Sequence, residues 1–224
     1  ELATEVVEPR VNVDFLHVAN VAEGHVRHTV HLRYKLYNAG AKVFDVQIPR
    51  GAIGLQILGP DIARRDEIEP GSGRYRIELS GKWYDRPYPL TIRYETHFDR
   101  AAGNVQLEPA RALAVDLQRG YVAVTASNRV ELSPLTVDAA LQEAEARSIP
   151  REFGAGDLYS AAFSYTTTTP EYKLSYSAKR HEAAALLNAD VRRVVVTSVL
   201  SEGGYTINRV EMAMRVGGKR HLAT

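Results

Sequence analysis

The chain contains no cysteine. That absence removes disulfides, thiolate nucleophiles and zinc–thiolate sites together. An excess of one charge is also lacking: 28 Lys and Arg stand against 27 Asp and Glu, a net charge of +1. Such a balance makes no long-range field to draw in nucleic acid or an anionic membrane. Long apolar runs are missing as well. The stretch Val194, Val195 and Val196 is only strand-sized, far short of the roughly 20 residues that a membrane-spanning helix needs. The sequence holds no Gly-x-Ser-x-Gly elbow, no Walker pattern and no complete dinucleotide glycine fingerprint, so no local signature of those chemistries is present. What remains is 45% hydrophobic and 25% charged over 224 residues, the balance of one large or two ordinary globular domains.

Period-two alternation dominates. Val26, His28, Val30, Leu32, Tyr34 and Leu36 share one face, while Arg27, Thr29, His31, Arg33 and Lys35 share the other, as in a strand with one wet side. Tyr75, Ile77 and Leu79 repeat the pattern, and so do Leu90, Ile92, Tyr94, Thr96 and Phe98. Turn chemistry separates these runs at Pro60-Asp61, at Glu69-Pro70-Gly71-Ser72-Gly73 and at Arg86-Pro87-Tyr88-Pro89. A further feature is duplicated. Val30, Leu32, Leu36, Gly40, Val43, Val46 and Ile48 recur at equal spacing as Val194, Val196, Leu200, Gly204, Ile207, Val210 and Met212. Each copy reads as two alternating runs around a glycine turn, the pattern of a β-hairpin. Tyr159, Ala161, Phe163 and Tyr165, followed by Tyr172, Leu174 and Tyr176, predict a third, aromatic hairpin. The segment 138–147, rich in Ala and Glu and stopped by Pro150, predicts a short helix or helical turn.

The expected fold is therefore all-β: two antiparallel β-sandwich-like units with a short helical connector. The first is placed at 1–110 and the second at 111–224, divided near Pro109 to Leu113 where a new apolar run begins. The last hairpin either closes the second unit or opens a third. The first residue, Glu1, and the unfinished apolar stretch at His221-Leu222-Ala223-Thr224 carry the expectation of further sequence at both ends, with an export signal or anchor upstream.

The candidate chemistry is sparse. His25, His28 and His31 lie close in sequence, but His28 faces away from the other two, which a strand holds about 20 Å apart. His97 or His181 would have to be recruited from elsewhere, so no metal site is expected. Asp138, Glu143, Glu145, Glu152 and Asp157 offer carboxylates whose proximity in sequence does not establish a facing pair; a solvated connector is the plainer role. The stripe Arg27, His31, Arg33 and Lys35 offers a cationic face to an acidic glycan or partner, or simply a solvated strand. Trp83, Tyr84 and Tyr88, in a proline-containing loop with the only tryptophan, are the candidate binding residues. They would either stack on a ligand or plug the end of a sandwich. No catalytic residue, metal or cofactor is assigned.

The strings Ala162-Phe163-Ser164-Tyr165, Tyr172-Lys173-Leu174-Ser175 and Thr197-Ser198-Val199-Leu200-Ser201-Glu202-Gly203-Gly204 resemble β-sandwich modules of large bacterial envelope proteins of unassigned function, over roughly 159–222. The resemblance implies export to the periplasm or cell exterior and a modular architecture, and it carries no catalytic residues. The functional expectation is a non-catalytic structural or interaction module of an exported bacterial protein, acting by surface recognition of an envelope protein or glycan. The first alternative is a carbohydrate-binding module using Trp83, Tyr84 and Tyr88. The second is a hydrolase whose site assembles from distant residues.

Overall fold

The computed structural model describes residues 10–84, 86–154, 158, 161–180 and 189–216. Sixteen strands occur among them. The first eight are β1 (Arg10–Ala22), β2 (His25–Tyr37), β3 (Ala41–Gln47), β4 (Ile53–Leu58), β5 (Ile62–Glu67), β6 (Arg74–Trp83), β7 (Tyr88–His97) and β8 (Asn104–Leu107). They are followed by β9 (Arg111–Leu113), β10 (Leu117–Ala126), β11 (Val130–Val137), β12 (Leu141–Glu143), β13 (Phe163–Thr167), β14 (Leu174–Arg180), β15 (Ala189–Leu200) and β16 (Thr206–Val216). The fold is all-β, as the alternation requires. No helix among the described residues is long and apolar enough to cross a membrane.

The chain divides into a large unit, Glu1–His181, and a small one, Glu182–Thr224. This corrects the boundary expected near Pro109 to Leu113. There β9 pairs with β3, and β10 pairs in parallel with β1, so residues on both sides of 110 share sheets. The parallel pairing is a local departure from an otherwise antiparallel plan. It arises because the chain builds the covering sheets before returning beside β1.

In the large unit, a seven-stranded sheet runs in the order β12-β13-β10-β1-β2-β7-β4. Its inner face presents Val13, Phe15, Val30, Leu32, Leu90, Ile92 and Val122, all essentially inaccessible. Two smaller sheets, β5-β6-β3-β9 and β11-β14-β8, contribute Phe44, Val46, Ile77, Leu79, Val105, Leu107 and Leu174 to the same core. Layering is the physical answer to sheets that are apolar on one side. The outer face of the seven-stranded sheet is partly covered too: Leu16 and Ala123 pack with Ile149 and Phe153.

Two expected hairpins are corners instead. β2 pairs with β1 and β7, whereas β3 pairs with β6 and β9. The turn at Asn38 to Gly40 thus carries the chain from one layer to the other. Likewise β13 joins β10 and β12 while β14 joins β11 and β8. Side-chain alternation records which face is apolar, and a strand keeps its core-facing side in either layer; it does not record the hydrogen-bonding partner. The expected helix at 138–147 is also corrected. Leu141–Glu143 is a strand beside β13, and among the described residues helical turns are confined to the 3-10 turns Ala146–Ser148 and Arg151–Phe153. Ten residues without a sustained apolar stripe gain little from helix formation, which needs a costly nucleus. Leu141, by contrast, gains burial as a strand residue.

The small unit holds β15 and β16, a true antiparallel hairpin pairing Val194 with Met212 and Val196 with Val210. Gly204 in its turn adopts φ +81°.

Candidate functional site: an exposed groove lined by two tyrosines

The loop after β6 splits the three aromatic candidates. Trp83 is 9% exposed and Tyr88 fully buried, whereas Tyr84 is 53% exposed. The buried pair belongs to a stack. Tyr88 lies parallel to Phe44 at 4.8 Å and edge-on to Trp83 at 5.2 Å, and Phe44 contacts Tyr34 at 4.4 Å. Polar tips are satisfied: the Tyr88 hydroxyl donates to the Pro60 carbonyl in the turn between β4 and β5 at 2.9 Å, and Trp83 Nε1 donates within the loop to the Arg86 carbonyl at 2.9 Å. The Arg86 guanidinium sits 4.7 Å above the Trp83 ring, a cation–π contact that fixes the cation at the surface. Trp83 and Tyr88 therefore plug the sandwich end, and their faces are not open to a ligand.

Tyr84 instead lines a surface depression. Tyr37, at the end of β2 and 46% exposed, lines a depression of about 510 Å³ together with Tyr84, Gly40, Arg86 and Pro87. Gly40 makes the arrangement possible. A β-carbon there would lie 2.8 Å from the Trp83 carbonyl oxygen and inside contact distance of the Tyr84 ring, so the ring rests directly on backbone. The sequence reading missed Tyr37 because it ends an alternating run as a surface residue. The available signal was its proximity to the corner glycine.

The histidines also fall into place. His28 is in the core, not at a ligand site, and meets a partner that the sequence did not single out. His17 Nε2 is 2.9 Å from His28 Nδ1, His17 Nδ1 is 2.8 Å from the Tyr172 hydroxyl, and His28 Nε2 is 2.9 Å from Thr96 Oγ1. His28 stacks on Tyr94 at 4.6 Å. With both rings neutral, every contact can hold one proton, running either from Tyr172 to Thr96 or the reverse. Burial holds both imidazoles in the neutral form: His28 is pushed down to about 4, and His17 well below its ordinary value, with the neighbouring His28 adding to the effect. His25 meets His97 edge-on at 6.5 Å, and His31 Nδ1 contacts Thr91 Oγ1 at 3.2 Å. His181 lies outside the described residues.

The basic stripe is largely spent. Arg27 pairs with Glu95 at 3.2 Å, Lys35 with Asp14 at 2.5 Å, and Arg33 with Glu152. Of the connector carboxylates, Glu145 pairs with Arg147. Asp138 accepts the backbone N–H groups of Ala140 and Lys173, which hold its carboxyl below the usual range. Glu143 is exposed on β12, and Asp157 lies outside the described residues. The structure does not gather these acids into one site.

No family model and no curated protein matches the sequence. Among solved structures, a variant of the M1 zinc metallopeptidase of Deinococcus radiodurans bound to a Tyr-Ser-Ala substrate superposes with a TM-score of 0.40 at 13% identity. That match covers 91% of this chain and 48% of the other, so the chain spans about half the length of that enzyme. A likeness this loose bears on no functional residue.

Proposed function

We propose that the protein is a non-catalytic interaction module of an exported bacterial protein, recognising an envelope protein through the groove between Tyr37 and Tyr84. The observation that carries this reading is that two half-exposed tyrosines, Tyr37 and Tyr84, line one depression, with the Tyr84 ring seated against Gly40. Tyrosine supplies a large amphipathic contact with little rotamer entropy to lose, and the seat on Gly40 reduces that loss further. The resemblance over roughly 159–222 to envelope β-modules supports the exported setting. A photo-crosslinking residue at position 84, introduced into the protein in its natural host, tests the idea. Crosslinks to a defined envelope protein are expected, and they should disappear with Tyr37→Ala. The same adducts from a probe at exposed Leu135, or none at position 84, would overturn it.

A second reading, carbohydrate recognition by the same groove, is favoured by the exposure of both rings. Retention on immobilised glycans that is lost in Tyr84→Ala would select it over a protein partner.

A further inference from the structure

A cleft of about 880 Å³ opens where the ends of β3 and β6 approach the β8–β9 bend and the segment before β14. We infer that this cleft is a binding site for a compact polyanion carrying several carboxylate or phosphate oxygens. It lies apart from the tyrosine groove, and no residue is common to the two linings. Its volume is that of small-molecule sites.

The charge at the cleft comes from what has already been spent. Arg111 is paired with Glu171, and the Asp138 carboxylate is committed to two backbone N–H groups, at 3.0 and 3.3 Å. The rest of the charged lining is Arg50, Arg74 and Lys173 against Glu108 and Asp138, whose carboxylate stays negative and is stabilised in part by the Lys173 charge. Among the described residues, none of these three cations has an ion pair or a side-chain hydrogen bond. The lining thus carries four cations against three carboxylates, and the guanidiniums of Arg50 and Arg74 supply the excess that suits an anion. Planar guanidinium forks bind carboxylate and phosphate in a two-point manner that lysine cannot reproduce.

The walls are preorganised. Gln47 Nε2 donates to the carbonyls of Ile48 and Ser72, at 3.1 and 3.0 Å. The Ile48 N–H donates to the Gly73 carbonyl at 2.7 Å, and the Gly73 N–H to Glu67 Oε1 at 2.9 Å. These bonds lace together the two turns that carry Arg50 and Arg74. On the other side, the Asp138 and Lys173 backbones are joined by the Asp138 N–H donating to the Lys173 carbonyl at 3.0 Å. Ile48 and Tyr172, both buried, form apolar lining, and the Tyr172 hydroxyl is held at 2.8 Å by His17. Pro49, Pro109 and Pro170 stiffen the rim. Little ordering remains to be done when an anion enters, which is where binding sites otherwise lose affinity.

Isothermal titration of the whole chain with pyrophosphate, and separately with citrate, at low ionic strength tests the site. Saturable one-to-one binding of at least one of them is expected, and the tighter of the two assigns phosphate or carboxylate chemistry. Arg50→Ala with Arg74→Ala should weaken that binding by about 10-fold or more, while Arg129→Ala, an exposed arginine outside the cleft, leaves it unchanged. Should the double variant not fold, Lys173→Gln serves instead, with an expected loss of roughly 3-fold. Failure of both probes to saturate, equal binding by the cleft variants, or an equal loss in Arg129→Ala would overturn the proposal.

Discussion

Residues 30–48 and 194–212 share the same apolar spacing and differ in almost everything else. In the first, Val30, Leu32 and Val46 are fully buried, and the two runs lie in different sheets. In the second, the runs pair with each other as a hairpin, yet Val194, Val196, Val210 and Met212 are 50–60% exposed. One pattern thus yields a layer-crossing corner in one place and an open ribbon in the other. Apolar spacing specifies which side chains share a face. What that face meets depends on residues far away in sequence: β6, β7 and β9 in the first case. Two-stranded ribbons are marginal in water by themselves, so the second copy should be the weaker structure of the two.

Acid should separate the two units most strongly. Below pH 6.5 an unfolded chain protonates its histidines, while the folded large unit keeps His28 neutral until about pH 4. Through that interval the unfolded state binds more protons, so stability falls as pH falls and is level above it. His28 alone accounts for about 3 kcal/mol across the window, and His17, shifted in the same direction, adds to it. Urea midpoints measured from pH 7.5 to 4 should show the fall, and His28→Gln should flatten it. The hairpin 189–216 contains no histidine, and its amide-exchange protection, corrected for intrinsic rates, should show no comparable step. A wild-type curve as flat as the variant's would remove the buried pair as the origin of acid sensitivity.

The matched substitutions Val30→Ala and Val194→Ala come next. Both remove the same atoms from equivalent places in the pattern. At 0% exposure, Val30 loses transfer free energy and leaves a cavity, costing roughly 2 kcal/mol. At 52% exposure, Val194 should change stability by less than about 0.5 kcal/mol. Differential scanning calorimetry reads the first, and amide exchange within β15 and β16 reads the second. Equal effects would mean that the hairpin's apolar face is covered in solution, and the contrast between the two regions would collapse.

The same contrast marks how far sequence reasoning reaches. Faces were legible: His28 stands on the core side with Val26 and Val30, and Arg27, Arg33 and Lys35 stand on the other. All-β class followed from that. Pairing was not legible, because β1 and β10 become neighbours only after nine strands are placed. The candidate site was half legible. A loop holding Trp83, Tyr84 and Tyr88 is conspicuous, but which ring faces outward is decided by Phe44 and Gly40 on another strand and its approach. His17 drew no attention because its partners, His28 and Tyr172, are distant along the chain and meet it only across the core.

The smallest and sharpest test uses the two glycines that occupy equivalent positions in the repeat. Gly204 is there for its backbone: φ is +81° and no described atom lies within 4 Å of an added β-carbon. Gly204→Ala should cost roughly 1 kcal/mol of hairpin stability, the ordinary penalty for an L-residue in the left-handed region, and Gly204→Asn should recover part of it. Gly40 is there for space. Its φ is not positive, but a β-carbon would press on the Trp83 carbonyl oxygen and on Tyr84. Gly40→Ala should therefore cost about 1–3 kcal/mol as overpacking, and Gly40→Asn should be worse, since a longer side chain relieves nothing. Combining Gly40→Ala with Tyr84→Ala removes the ring but leaves the carbonyl contact, so it should restore only part of the loss. Thermal midpoints for Gly40 variants and exchange protection for Gly204 variants decide the matter. Asparagine tolerated at 40 and rejected at 204 would invert the assignment, making the corner the place where backbone conformation rules and the ribbon the place where packing does.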